Sequence, residues 1–238
     1  MMQLYGKNSV FERLKTNYAS IRKIIVLDTF RAPHIEKLIS AHHISAQRLR
    51  EREFSRMRTS EHSQGVIAEV DEFTYASVVE YLAKQDKKTV FVFLDRVFDP
   101  QNLGAIMRTL ACFGGFLLVI PKFKACAITE TVLHVAQGAE NYVPVSMVTN
   151  LSGAIIEAKK AGYWILGASI EEDAQDIARV SIPFPLALVL GSEGEGIRYG
   201  VDKHLDIKAR IPMAGAPLSL NVTHACAIFA YEIGKQRG

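Results

Sequence analysis

Residues 90–120 read VFVFLDRVFDPQNLGAIMRTLACFGGFLLVI. Two apolar runs of strand type, 90–94 and 116–120, enclose a segment whose apolar residues recur at helical spacing. The same alternation of strand-like runs and helical periods continues through four further runs, at 143–148, 164–168, 186–190 and 207–211. This order of elements predicts an α/β fold with a mostly parallel sheet that is covered by helices on both faces.

Composition places the chain among ordinary globular proteins. It has 238 residues, of which 49% are hydrophobic and 22% are charged, enough for one large domain or two small ones. No run approaches the roughly 18 to 20 apolar residues of a membrane span, and residues 1–11 lack the apolar core of a signal peptide. We therefore expect a cytoplasmic protein that does not associate with membranes.

The cysteines and the spacing of potential metal ligands argue against a disulfide-rich protein and against a metal-binding protein. Cys112, Cys126 and Cys226 are odd in number and far apart, so neither a disulfide framework nor a zinc-binding CxxC pair is present. No His, Cys or Asp cluster has the spacing of metal ligands. We expect small core cysteines in a reducing compartment and no metal.

The front of the chain differs from the rest in pattern and charge. Residues 1–88 carry 15 Lys and Arg against 11 Asp and Glu, a net +4, whereas residues 89–238 carry 13 against 14, a net −1. The polar stretch 83–88 marks a boundary, which predicts a small α/β domain at 1–72, a linker at 73–88 and a second domain at 89–238. Five arginines stand close together and could meet phosphates or form a solvated helix face: Arg48, Arg50, Arg52, Arg56 and Arg58.

Ligands of open parallel sheets bind beyond the carboxyl ends of strands, so we expect functional residues in the loops that follow strands. The first loop leads into a helix for which Asn102 is the expected cap. Arg108 projects about 130° from the centre of that helix's apolar stripe, away from the core. It is either a functional group or a surface arginine.

Two later loops are rich in glycine and proline. Residues 188–197, LVLGSEGEGI, run from a strand into a turn that lacks both the dinucleotide fingerprint and the GK[ST] of a P-loop. Residues 211–223, IPMAGAPLSLNVT, break a strand and start the last helix near Ser219. That helix is apolar on two opposite sides, which predicts burial against its own sheet and against a second subunit, as a homodimer.

The three loops together resemble the three motifs of the SpoU/TrmH family of RNA ribose 2′-O-methyltransferases, within the SPOUT superfamily. The matching patterns are D-P-x-N-x-G-A-I-x-R-T from residue 99, L-G-x-E-x-x-G-I from residue 190 and I-P-M-x-G-x-x-x-S-L-N-V from residue 211. In the front part, YGKNSV at 5–10 and HSQGV at 62–66 look like the first domain of the bacterial members that methylate a guanosine ribose in 23S ribosomal RNA.

The resemblance implies a trefoil-knotted methyltransferase domain behind an L30e-like RNA-binding domain, with S-adenosylmethionine as cofactor and a site completed across a homodimer. The catalytic residues it implies are Arg108, Asn102, Glu193, Ser219 and Asn221. The cofactor would be bound at Leu190, Gly191, Gly196, Ile211, Met213 and Leu220. RNA would be bound by the five arginines, of which Arg48 is the first, and by His62 and Gln64.

Two other functions account for only part of the sequence. A non-catalytic RNA-binding module would explain the basic front part but not the three intact motifs. A dehydrogenase of the Rossmann type would explain the α/β alternation but lacks the fingerprint. The motifs contain no cysteine that could attack a pyrimidine base, which favours the ribose as methyl acceptor. Ribosomal and transfer RNA both remain open as substrates.

Overall fold

The computed structural model of the chain describes residues 1–57, 63–84, 86, 88–192, 194–216 and 218–237. The chain forms two compact units, the first from Met1–Thr74 with Ile128–Tyr142 and the second from Tyr75–Ala127 with Val143–Gly238. Within these described ranges, no helix has both the length and the apolar character that crossing a bilayer requires.

The first unit is built on a four-stranded sheet in the order β1-β4-β2-β3. Strands β1 and β2 pair with β4 antiparallel, and β2 pairs with β3 parallel. Its elements in chain order are β1 (Met2–Tyr5), α1 (Lys7–Thr16), β2 (Ile21–Leu27), α2 (Pro33–Ala41), β3 (Ala46–Leu49), α3 (Glu51–Met57) and β4 (Val66–Val70). On one face of the sheet, Phe54 of α3 packs against Tyr5, Ile25 and Ile67.

A segment from the middle of the chain belongs to this first unit, which the sequence patterns did not indicate. Residues 128–142 contain α6 (Glu130–Ala136) and the 3-10 helix Ala139–Asn141. The Glu130 carboxylate accepts a hydrogen bond from the backbone N–H of Gln3 at 2.7 Å, and the His134 ring stacks on Tyr5 with centroids 4.3 Å apart. The apolar face of α6 is buried.

A buried ion pair joins this segment to α1. The Arg13 guanidinium lies 3.2 Å from the Glu140 carboxylate and also donates to the Ser20 hydroxyl. Among the residues described, Glu140 Oε2 and Arg13 Nε find no hydrogen-bond partner. Burial raises the pKa of the Glu140 carboxyl, whereas Arg13 opposes that rise. The carboxylate therefore depends on Arg13 to stay charged.

Replacing Arg13 with Met is expected to destabilise the protein by about 3–5 kcal/mol at neutral pH, because the buried Glu140 carboxyl must then either stay charged without a partner or bind a proton above its ordinary pKa. A raised folded-state pKa makes the free energy of unfolding fall as pH rises above the ordinary glutamate value of 4.5. Loss of Arg13 raises the folded-state pKa of Glu140 further. The free energy of unfolding should therefore fall more steeply between pH 5 and pH 8 than it does in the wild type. Urea unfolding at the two pH values measures it.

The matched control for this experiment is the double variant Arg13→Met/Glu140→Leu, which removes both charges. It should recover most of the lost stability and show a weaker pH dependence than Arg13→Met, since apolar pairs often replace buried ion pairs without loss. If Arg13→Met and the wild type lost stability in parallel from pH 5 to pH 8, the pair would not control the ionisation of Glu140.

The second unit contains a seven-stranded sheet in the order β7-β6-β5-β10-β8-β11-β9, with every neighbouring pair parallel. The predicted parallel sheet is confirmed. Its elements are α4 (Val78–Ala83), β5 (Val90–Asp95), α5 (Pro100–Phe113), β6 (Phe116–Pro121), β7 (Val145–Val148), α7 (Leu151–Lys160), β8 (Trp164–Ala168), β9 (Gln175–Asp176), β10 (Leu186–Gly191), α8 (Tyr199–Asp202), β11 (Ile207–Arg210) and α9 (Val222–Gln236). Helix α4 lies within the stretch expected to be a linker.

Helices cover both faces of this sheet, which is why its central strands are apolar throughout. Phe91 and Phe93 of β5 point to one face, where they form a core with residues of α7 such as Ile155. Side chains alternate along a strand, so Val92 and Leu94 point to the other face, and both are fully buried. Helices α5 and α9 pack against each other, α5 also against β6 and α9 against β10.

Two predicted helix starts are wrong, that of α5 by about one turn and that of α9 by two residues. Helix α5 is capped by Asp99, whose carboxylate accepts from the Gln101 N–H at 2.8 Å, and Asn102 lies inside the helix. Helix α9 is capped by Asn221 rather than starting near Ser219. In α5, Pro100 at the first position fits a start directly after Asp99, because proline needs no hydrogen-bond donor there.

Candidate functional site

A cavity of about 340 Å³ lies in the second unit, beyond the carboxyl ends of β8, β10 and β11 and beside the start of α9. Such a position is expected for a ligand of a parallel sheet, and the volume is that of a small-molecule site. Six residues were predicted to bind the cofactor, and all of them line this cavity: Leu190, Gly191, Gly196, Ile211, Met213 and Leu220. Their role in binding stays a prediction.

The glycine turn after β10, described at residues 191, 192 and 194–197, brings Gly196 and Ile197 back against the end of its own strand. A Cβ atom on Gly191 would come within 2.2 Å of the carbonyl carbon of Gly196 and 2.4 Å of the amide nitrogen of Ile197. Both neighbours are backbone atoms, which cannot swing aside. Gly194 and Gly196 have positive φ angles of 86° and 67°. The turn therefore requires glycine for close approach at one position and for conformation at two others.

A buried carboxylate holds the end of this turn. Asp95 is fully buried at the carboxyl end of β5, in register with Gly191 on the neighbouring strand. Its two oxygens accept from the backbone N–H of Arg198 at 2.9 Å and from the Arg198 Nε at 2.7 Å, and Nη2 lies 2.6 Å away. Charge-assisted bonds to a carboxylate shielded from water are among the stronger polar contacts in proteins.

Further charged groups around the cavity were missed by sequence reasoning. Arg96, with a positive φ of 62°, forms an ion pair with Glu195 of the glycine turn. Glu171 and Asp202 also line the cavity, and Lys208 bridges them at 2.8 and 3.0 Å. These residues lie outside the three motifs or at variable positions within them, so no pattern distinguished them from surface charges. Each of the three carboxylates is thus paired with a cation of the same chain.

The predicted catalytic residues are partly brought together. The Asn221 side-chain amide donates to the Asn102 side-chain oxygen Oδ1 at 3.2 Å, which joins the first motif to the third, and Ser219 lines the cavity. Arg108 is exposed on α5 away from the buried stripe, as predicted, about 9 Å along the helix from Asn102. It is not among the described residues that line the cavity. Glu193 lies outside the described residues.

The predicted RNA-binding residues lie in the first unit. Arg48 of β3 forms an ion pair with Glu36 at 2.9 Å, whereas Arg50, Arg52 and Arg56 are exposed at or near α3. Gln64, with a positive φ of 51°, accepts from the Lys7 N–H at 2.9 Å. Two further residues of this prediction are outside the described part of the chain: Arg58 and His62.

The two apolar sides of α9 differ in exposure. Val222, Cys226, Phe229 and Ile233 are buried within the chain, whereas Tyr231 on the other side is 53% exposed. Burial raises the pKa of the Cys226 thiol to about 12. Cys226 is therefore a neutral core residue, and the side of α9 that bears Tyr231 is left open in the single chain.

The variant Asp95→Asn is expected to loosen the glycine turn while leaving the sheet intact. In Asn an NH2 group replaces one of the two acceptor oxygens and would face a donor of Arg198, and hydrogen bonds to a charged group contribute about 1.5–3 kcal/mol. Hydrogen exchange should show faster exchange at Gly194 and Gly196 with little change in β5. The matched control is Asp99→Asn, which keeps a good helix cap in the same loop. Equal exchange at the turn in both variants would contradict this role of Asp95.

Comparisons with known proteins agree with this architecture. The SpoU rRNA methylase family matches residues 89–231, and a domain family described as RNA 2′-O ribose methyltransferase substrate binding matches residues 3–76. A TrmH family tRNA/rRNA methyltransferase of Bacillus subtilis is 35% identical, with 98% of this chain and 94% of the relative covered. A 23S rRNA (guanosine-2′-O-)-methyltransferase of Ralstonia nicotianae is 34% identical, with 98% of this chain and 95% of the relative covered.

Solved structures show the same fold. The AdoMet-bound rRNA methyltransferase of Sinorhizobium meliloti superposes with a TM-score of 0.82 at 21% identity, covering 98% of this chain and 87% of that one. An RNA methyltransferase of the TrmH family from Porphyromonas gingivalis gives a TM-score of 0.77 at 25% identity, covering 97% and 88%. With its methylase match over residues 89–231 and close relatives along nearly its whole length, the chain belongs to the SpoU rRNA methylase family.

Proposed function

We propose that this protein uses S-adenosylmethionine to methylate a ribose 2′-hydroxyl, that of a guanosine in 23S ribosomal RNA. The observation that carries the proposal is the convergence of the motif loops, since one cavity is lined by all six predicted cofactor residues and the Asn102–Asn221 bond joins the first motif to the third. The guanosine target is supported by relatives such as that of Ralstonia nicotianae.

The cavity suits the proposed cofactor in its size and in the character of its walls. The walls combine apolar side chains such as Phe229 and Val222 with the exposed backbone of the glycine turn. When bound, S-adenosylmethionine would supply a methyl group on a positively charged sulfonium. This methyl group passes in line to the acceptor oxygen, and the sulfur leaves as a neutral thioether.

The chain's own residues align the acceptor and stabilise charge. The backbone of Gly191, Ile211 and Leu220 would hold the cofactor, and the Asn102–Asn221 pair with Ser219 would shape the acceptor side. The 2′-hydroxyl loses its proton during transfer, so negative charge develops on that oxygen. A guanidinium remains protonated at neutral pH, which makes Arg108 a phosphate anchor that also stabilises this charge rather than a general base.

The homodimer and the trefoil knot implied by the family are part of the proposal. The open side of α9 supplies an apolar surface for a second copy. Arg108 lies outside the lining of its own chain's cavity, which suits a site that is completed across such a dimer. Transfer RNA is the second candidate substrate, supported by the Bacillus subtilis relative, whose name is TrmH family tRNA/rRNA methyltransferase.

The acceptor atom and the RNA class are tested together. Unmodified transcripts of 23S ribosomal RNA and of transfer RNA are incubated separately with the protein and a methyl-labelled donor, then hydrolysed by alkali. A 2′-O-methyl group removes the nucleophile of alkaline cleavage, so one rung should be missing 3′ of a guanosine in the ribosomal transcript. Label on a free base with an unbroken ladder would refute ribose methylation, and label confined to transfer RNA would select the alternative.

Arg108→Ala should lower the rate of methyl transfer about 100-fold or more, because one donor to the developing charge is lost. The dissociation constant for S-adenosylmethionine should change less than twofold, as measured by calorimetry. Arg108→Lys should also be slow, since a point charge does not replace a planar fork. The matched control is Arg179→Ala, a well-exposed arginine outside the site. Near-normal transfer by Arg108→Ala would make Arg108 an ordinary surface residue.

A further inference from the structure

Two exposed phenylalanines stand at the same edge of the second unit's sheet. Phe98, in the loop after β5, is 59% exposed, and Phe123, in the loop after β6, is 64% exposed. Strands β5 and β6 are parallel neighbours, so their carboxyl ends emerge side by side. Large aromatic side chains exposed on adjacent loops mark an interaction surface more often than single scattered apolar residues do.

The loops that carry these rings are held at defined points. The Cys126 N–H donates to the Val97 carbonyl at 2.9 Å, which ties the loop after β6 to the loop after β5. The Lys122 N–H donates to the Val148 carbonyl at 2.8 Å, which ties it to the end of β7. Val97, next to Phe98, is buried. Anchored loops present both rings at little further entropic cost, as a preformed binding surface requires.

The charge around the rings is positive. Lys122 and Lys124 flank Phe123 and are exposed, and the Lys122 ammonium lies 5.7 Å from the Phe123 ring centroid. Of the neighbouring charges, Asp99 is engaged as the cap of α5 and Arg96 is paired with Glu195. We name the four residues Phe98, Lys122, Phe123 and Lys124 the aromatic–basic edge. Within the described part of the chain, neither Lys122 nor Lys124 forms an ion pair, so both can bind an external anion.

Resting on the proposed function, we propose that the aromatic–basic edge binds unpaired nucleotides of the substrate RNA, with bases stacked on Phe98 and Phe123 and phosphates paired with Lys122 and Lys124. Aromatic faces beside cations are the usual platform for single-stranded nucleic acid. The edge lies beside the start of α5, which carries Asn102 and Arg108. It would therefore hold nucleotides that flank the methylated ribose and contribute to the choice of site.

The test measures RNA affinity of the full-length protein with a methylatable ribosomal RNA fragment, by fluorescence anisotropy. Phe98→Leu and Phe123→Leu should each weaken binding about 10-fold, whereas Phe→Tyr at either position should retain it, because stacking needs a ring. Trp164→Ala is the matched control, since Trp164 is 47% exposed at the amino end of β8, the opposite edge of the sheet. It should leave affinity unchanged.

The lysines have a separate readout. Lys122→Gln and Lys124→Gln should each reduce the slope of log affinity against log salt by about 0.7, the value for one phosphate contact on a single strand. S-adenosylmethionine affinity and the oligomeric state should not change in any variant. Unchanged RNA affinity in both Leu variants, or a change of oligomeric state in them, would overturn the proposal, the latter by assigning the edge to contacts between copies.

Methylation of the same fragment by the wild type distinguishes a failure of the RNA-binding role from a failure of the proposed function. If the wild type transfers a methyl group and the Leu variants bind RNA normally, the RNA-binding role of the aromatic–basic edge is wrong and the proposed function stands. If the wild type transfers none to ribosomal or transfer RNA, the proposed function fails on its own account.

Discussion

The cavity depends on one buried carboxylate. Asp95 ends the central strand β5 with no contact to water, and its charge is offset by Arg198, which follows the glycine turn. The turn itself contains three glycines, whose conformational freedom would otherwise cost entropy each time the turn is ordered. By bonding both the backbone and the side chain of Arg198, Asp95 fixes where the turn leaves the sheet, and so fixes one wall of the cavity.

The parallel sheet determines which loops can meet. Because every neighbouring pair is parallel, the loops after β8, β10 and β11 emerge at one edge, and the loop after β5 emerges beside them. The Asn102–Asn221 bond then joins residues 119 positions apart in the chain. A site that must bind a methyl donor and align its acceptor can be built from loops, because the sheet that carries those loops is rigid.

The first unit shows how a segment can be recruited from another part of the chain. Residues 128–142 follow β6 in sequence but pack on β1 and α1, where Glu140 pairs with Arg13. The pair is buried and incompletely hydrogen-bonded, so it adds little net stability compared with an apolar contact of similar size. Breaking the pair is nevertheless costly, because either partner alone would be an unpaired buried charge.

The sequence by itself determined the α/β class and the parallel sheet, because apolar periodicity reports burial. Its resemblance to the family implied six residues that line the cavity, whereas Glu171 and Asp202 of the same lining were missed. The sequence also placed Arg108 off the core from helical geometry alone. Tertiary structure decided what depends on contacts between distant residues: the Asp95–Arg198 bond, the place of residues 128–142, and the helix starts at Asp99 and Asn221. Several polar residues near each start can act as caps, and only the packed chain shows which side chain faces the free N–H groups.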